Sequence, residues 1–135
     1  FTGDGSFLMT PQVLLDGVQY GLRGMIVLLD NRNMAAISGL QLAQYGYEFG
    51  TDDRVEVDYV QLATAFKGVQ AFDGGSSVQE LEAALRQAYS FKGLSVVCVS
   101  VYCGPDESGG LGVYGNWNVG PWCDRVQNEK HRIGL

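Results

Sequence analysis

The chain is poor in the residues that most often do chemistry unaided. Its one histidine, His131, lies in a polar tail, so no Ser-His-Asp arrangement can be read. Its three cysteines, Cys98, Cys103 and Cys123, form no C-x-x-C pair, which excludes a zinc pattern. Their odd number and irregular spacing read as reduced, intracellular thiols. Cations are scarce as well: nine Lys and Arg face fifteen Asp and Glu, for a net charge of −6. No basic stripe is present to neutralise phosphates, which argues against nucleic acid. No apolar run approaches the roughly 20 residues of a membrane span, and no secretory signal is present, so a cytoplasmic location is expected. An anionic ligand would have to be met by a metal ion or by backbone N–H groups. The chain starts at Phe1, not at a methionine, and reads as a processed or excised piece.

What is present suits one globular domain: 135 residues, 46% hydrophobic and 18% charged. Thr10-Pro11 reads as a helix start, with Thr as N-cap and Val13, Leu14, Val18 and Leu22 at helical spacing. Met25 to Leu29 is a short branched apolar run, the signature of a strand buried on both faces. Asn33 to Tyr45 reads as a loop and a short helix, followed by an acidic loop, Gly46 to Asp53. Asp58 can cap a helix that Gly68 ends. Val69 to Phe72 reads as a strand, and Ser77 with Glu80 fits a capping box for a helix to about Ser90. Its apolar face is Leu81, Ala84, Leu85 and Ala88. Leu94 to Tyr102 is a second strong strand, in which Cys98 reads as core. From Gly104 onward the chain is Gly-rich and carries Trp117 and Trp122.

This alternation implies right-handed crossovers and a three-layer α/β fold, a parallel sheet with helices on both faces. Ligands in such folds bind at the carboxyl ends of strands. Two polar spots fall there: Gly3-Asp4-Gly5-Ser6 after a strand of which only Phe1 and Thr2 are seen, and Asp30-Asn31 after the second. Asp4 and Asn31 lie 27 residues apart, which fits strand–helix–strand. A carboxylate, an amide oxygen and a loop carbonyl make a hard oxygen site for Mg²⁺ or Ca²⁺. The glycines permit close approach of a diphosphate. A dinucleotide loop is excluded, because position 8 is Leu where Gly or Ala is required, and a Walker loop is excluded by the missing Gly-Lys ending.

GDGS followed at this distance by LLDN resembles the cofactor motif of thiamine-diphosphate enzymes, GDG, a spacer and an Asn pair, with Asp30 in place of the first Asn. Within that superfamily the chain resembles the trihydroxycyclohexane-dione hydrolases of inositol catabolism and their acetolactate-synthase-like relatives. The residues are GDGSFLM, ISGLQ, EFGTD at Glu48 to Asp52, VDY at Val57 to Tyr59, and YGNWNVG at Tyr114 to Gly120. The resemblance implies an N-terminally truncated thiamine-diphosphate-binding fold: residues 1–103 as the diphosphate and Mg²⁺ part, and 104–135 as a tail packed on it. It implies metal ligation by the Asp4 carboxylate, the Asn31 amide oxygen and the Asn33 carbonyl. Cofactor contacts fall on Gly3, Asp4, Gly5, Ser6, Asn31, Asn33, Ala35, Ala36 and Ile37.

The implied activity is cleavage or formation of C–C bonds next to a carbonyl, with a cyclic-diketone hydrolase first. An acetolactate synthase, a 2-keto acid decarboxylase-like lyase and a non-catalytic diphosphate-binding module or subunit are the alternatives. The activating glutamate is expected from a pyrimidine-binding domain of the same or a neighbouring subunit, so no catalytic residue is expected within these residues. A homodimer or homotetramer and a small carbonyl substrate complete the expectation. Leu40 and Gln41 are candidates to face substrate, and Glu48, Asp52 and Asp53 are expected to be solvated.

Overall fold

The branched apolar runs form strands, and the segments with 3.6-residue periodicity form helices. The computed structural model describes residues 1–52 and 55–101. Asp53, Cys103, Cys123, Trp117, Trp122, His131 and the expected tail therefore lie outside the described residues. Among the described residues nine elements follow in order: β1 (Thr2–Gly3), α1 (Asp4–Met9), α2 (Val13–Gln19), β2 (Gly24–Asp30), α3 (Ala35–Tyr45), α4 (Tyr59–Thr64), β3 (Val69–Asp73), α5 (Val78–Ser90) and β4 (Leu94–Ser100). The chain divides into two compact units, Phe1–Arg32 with Arg54–Tyr102, and Asn33–Asp53 with Cys103–Leu135.

The first unit holds a wholly parallel four-stranded sheet in the order β1-β2-β4-β3. Strand residues alternate between two cores, as a pleat with both faces covered requires. On one face Leu28, Val69, Leu94 and Val96 pack with Phe7 of α1, Leu14 of α2 and Tyr59 and Ala63 of α4. The rings of Phe7 and Tyr59 meet edge to face, 6.2 Å between centroids. On the other face Val27, Val97 and Val99 pack with Ala84 and Ala88 of α5. The expected three layers are present. Buried Ser95 Oγ lies 3.3 Å from the Gly24 carbonyl and 3.2 Å from the Ala88 carbonyl, either of which can take its one proton.

Two helix starts match their chemistry. Ser77 and Glu80 form a complete capping box, and the Asp58 carboxylate accepts from Gln61 N–H at 2.8 Å. The third differs from the sequence reading. Thr10 is not an N-cap. It closes α1, donating its N–H to the Phe7 carbonyl at 3.1 Å from a non-helical conformation (φ −145°, ψ 47°). Pro11 has no N–H with which to continue the α1 ladder, so a turn intervenes and α2 begins at Val13, behind Gln12. Val13 and Leu22 are consequently exposed, while Leu14 is fully buried and Val18 packs on the core. Gly17 lets α2 lie close to the sheet: a Cβ there would stand 2.6 Å from Leu94 Cδ2.

In the second unit, α3 is followed by a loop that side chains fasten to it. Gln41 donates to the Phe49 carbonyl at 3.1 Å and accepts from Phe49 N–H at 2.7 Å. Among the described residues no helix is long and apolar enough to cross a membrane.

Candidate functional site at the carboxyl edge of the sheet

Parallel pairing brings all strand C-termini to one edge. Thr2 pairs with Leu28 and Gly3 with Leu29, so β1 and β2 are neighbours and deliver Asp4 and Asp30 side by side. Asp4 is the first residue of α1 and is only 2% exposed. Its Oδ2 is buried and has no hydrogen-bond donor. The β1–β2 register makes the Asp30 carboxyl group its acidic neighbour, close enough to raise its pKa. Two ionised carboxylates can only accept, so this contact satisfies neither without a shared proton or a cation.

Burial pushes the Asp4 carboxyl above its ordinary range. The N–H of Gly5 pulls it back, the side chain and charge of Asp30 raise it further, and the N–H of Arg32 opposes them. Acidic character extends along the edge. Burial first, then the charges of Asp73, Asp30 and Asp58, push the half-buried Cys98 thiol up to about 12. Cys98 is therefore a neutral core thiol, not a nucleophile.

The loop after β2 has a defined geometry. Asp30 Oδ1 accepts the Arg32 N–H at 3.0 Å, and the Asp30 carbonyl accepts the Val101 N–H at 2.8 Å. Between them Asn31 follows the strand end, and Arg32 adopts a left-handed conformation with φ 53°. Asn33 opens the second unit. Its Oδ1 accepts from Ser38 Oγ at 2.8 Å, and Ser38 Oγ lies 2.6 Å from Thr51 Oγ1. A hydroxyl has one proton to give, so Thr51 donates to Ser38 and Ser38 to Asn33. Ala35 and Ala36 open α3, where N–H groups have no partner within the helix.

Of the residues singled out in the sequence, Gly3, Asp4, Gly5, Ser6 and Asn31 lie at the end of β1 and the end of β2. Asn33, Ala35, Ala36 and Ile37 lie at the start of the second unit. Gln41 spends both amide groups on Phe49 and so braces a loop. Sequence reasoning missed Asp30, treated there as a departure at an Asn position, and missed the Ser38–Thr51 pair. The signal for Asp30 was available: an Asp two residues before a residue that must turn. Among the described residues no three His, Cys, Asp or Glu side chains gather as a metal cluster.

A parallel sheet with an acidic residue and a glycine turn at its carboxyl edge defines an α/β domain of the kind that takes its ligands at that edge. Residues 1–99 match the family described as thiamine pyrophosphate enzyme, C-terminal TPP binding domain, and the chain belongs to that family. It is 37% identical over 92 residues to the 3D-(3,5/4)-trihydroxycyclohexane-1,2-dione hydrolase of Bacillus subtilis (strain 168), a match covering 64% of this chain and 14% of the relative. It is 32% identical over 134 residues to the protein of that name from Halalkalibacterium halodurans, covering 95% of this chain and 21% of the relative. Benzoylformate decarboxylase from Polynucleobacter necessarius superimposes with a TM-score of 0.66 at 29% identity, over 74% of this chain and 18% of that one. The thiamine diphosphate-dependent 4-hydroxybenzoylformate decarboxylase of Rhodococcus jostii RHA1 shares the fold, with a TM-score of 0.68 at 23% identity over 77% of this chain and 19% of that one. The chain thus spans about a fifth or less of the length of these proteins.

Proposed function

We propose that the chain holds the diphosphate and Mg²⁺ of thiamine diphosphate within a larger enzyme that hydrolyses a cyclic 1,2-diketone. The observation that carries the cofactor reading is the buried Asp4 oxygen without a donor. A carboxylate desolvated beside a second carboxylate is costly unless a cation completes it. Asp4 through its carboxylate and Asn31 through its amide oxygen would hold Mg²⁺, which takes oxygen ligands and shares them with phosphates. The N–H groups of Gly5 and Ser6 would donate to the diphosphate. Gly3 supports this reading. Its φ of −85° suits any residue and a Cβ there would meet nothing within 4 Å, so the described chain itself gives no reason for a glycine. A ligand passing close to the backbone would.

The chemistry that thiamine diphosphate supplies when bound is a carbanion that adds to a carbonyl and an electron sink for the C–C bond that breaks. The residues of this chain bind and orient. The activating glutamate would come from a pyrimidine-binding domain of the same or a neighbouring subunit. Partnership of this kind implies a homodimer or larger assembly. The diketone substrate rests on the likeness to dione hydrolases over up to 95% of the chain. A 2-keto acid decarboxylase is the second reading, favoured by the 29% identity to benzoylformate decarboxylase.

The test is calorimetric titration of the intact protein with thiamine diphosphate and Mg²⁺, followed by assay of cyclic 1,2-diketones against 2-keto acids. Mg²⁺-dependent binding and ring opening of a diketone are expected. Turnover of 2-keto acids alone would select the second reading. No Mg²⁺-dependent binding would overturn both in favour of a non-catalytic module.

A further inference from the structure

The strand-end turn that carries Asp30 is built twice in the first unit. Asp73 ends β3 as Asp30 ends β2, and its Oδ1 accepts the Gly75 N–H at 2.9 Å, as that of Asp30 accepts the Arg32 N–H at 3.0 Å. An amide oxygen performs this turn as well as a carboxylate does. The turn therefore needs an acceptor at position 30, not a charge. A charge there carries a cost, since the β1–β2 register sets Asp30 beside Asp4, a buried carboxyl whose Oδ2 already lacks a donor. Asp73, at the opposite edge of the sheet, is solvent-exposed.

Resting on the reading that a divalent cation sits at Asp4, we propose that Asp30 is the residue that sets cation affinity: its carboxylate adds a second negative charge beside Asp4 and preloads the site for a divalent ion. Oxygen sites of this kind tune affinity by the number of charged ligands and neighbours. Partners just outside the ligand set govern it by roughly 10- to 100-fold. Without a cation, the same pair repels and weakens the fold. Asp30 thus trades stability of the empty protein for affinity, acting through Asp4 as a positioning and charge-setting residue.

The experiment compares wild type, Asp30→Asn, Asp73→Asn and Asp4→Asn in the intact protein. Mg²⁺ is titrated calorimetrically with and without saturating thiamine diphosphate, and Tm is measured in EDTA. Asp30→Asn keeps the turn acceptor and removes only the charge. Its Mg²⁺ affinity should fall about tenfold while its Tm in EDTA rises. Asp73→Asn should leave Mg²⁺ affinity unchanged. Unaltered Mg²⁺ affinity in Asp30→Asn overturns the proposal, and so does a Tm in EDTA that falls, because either result makes Asp30 a turn residue alone. Wild type that binds Mg²⁺, with Asp4→Asn that does not, supports the underlying site whatever Asp30 does. Wild type indifferent to Mg²⁺ overturns both.

Discussion

The turns after β2 and β3 begin alike and end differently. After β3 the chain runs Asp73-Gly74-Gly75, and after β2 it runs Asp30-Asn31-Arg32. Gly75 takes its positive φ (66°) freely, while Arg32 takes φ 53° with a side chain that disfavours it. At Gly74 a Cβ would stand 2.8 Å from the Cys98 carbonyl oxygen, whereas Asn31 carries a whole side chain at the matching place. The donors after β3 are consumed locally: the N–H groups of Ser76 and Ser77 both donate to the Glu80 carboxylate at 3.0 Å. After β2 the neighbouring carboxylate of Asp4 is left short of a donor. One turn is closed around its own chain. The other keeps a side chain, a strained residue and an unsatisfied oxygen, a combination found where a ligand completes the structure.

Removing the unsatisfied carboxylate should break the contrast most completely. Asp4→Asn should weaken Mg²⁺-dependent thiamine diphosphate binding by more than about 100-fold, beyond the loss of an outer partner. Without a cation it should also stabilise. The raised Asp4 pKa means that the folded state holds this proton more firmly than the unfolded chain does. Wild-type stability in EDTA therefore falls as pH rises from the ordinary aspartate range through the raised value. Asp4→Asn removes that slope, so its Tm should exceed wild type at neutral pH and approach it in acid. A Tm below wild type at neutral pH would make Asp4 a structural residue.

Next in size are the two turns themselves, altered toward each other. Gly74→Ala should destabilise by about 1–3 kcal/mol, because the backbone oxygen of Cys98 cannot give way as a side chain can. Arg32→Gly should stabilise the cation-free protein, by up to about 1 kcal/mol, as relief of left-handed strain outweighs the added freedom of the unfolded chain. Urea unfolding checks both, and equal signs for the two changes would erase the difference between the turns.

Much of this was legible in the residues. Branched runs gave the strands, Ser77 and Glu80 gave a cap, and the spacing of Asp4 and Asn31 pointed to adjacent strand ends. The break at Thr10-Pro11 was not legible, because Thr before Pro signals a helix start as readily as the end of the preceding one. Tertiary need decided it, since Phe7 and Leu14 both had to reach one face of the sheet. Asp30 was misjudged for a similar reason. Its identity could be read from the sequence, but its cost appears only once β1–β2 register sets it against a buried carboxylate.

The smallest effect is expected where the chain satisfies itself. Ser77 Oγ both accepts from Glu80 N–H at 3.3 Å and donates to the Glu80 carboxylate at 2.8 Å. Those bonds, Ser77 first and the Ser76 N–H next, hold the Glu80 carboxyl below its ordinary range. A lowered acid contributes stability that is present above its unfolded value and lost as pH falls through its folded one. Ser77→Ala should cost about 1 kcal/mol at neutral pH, the usual worth of an N-cap. It should also flatten the acid limb of the stability profile, and leave Mg²⁺ affinity untouched. Urea midpoints across pH 3 to 7 would show it. An acid limb as steep as that of the wild type would mean that the Ser76 and Ser77 N–H groups alone hold Glu80 ionised, and that the backbone, not the hydroxyl, closes this turn.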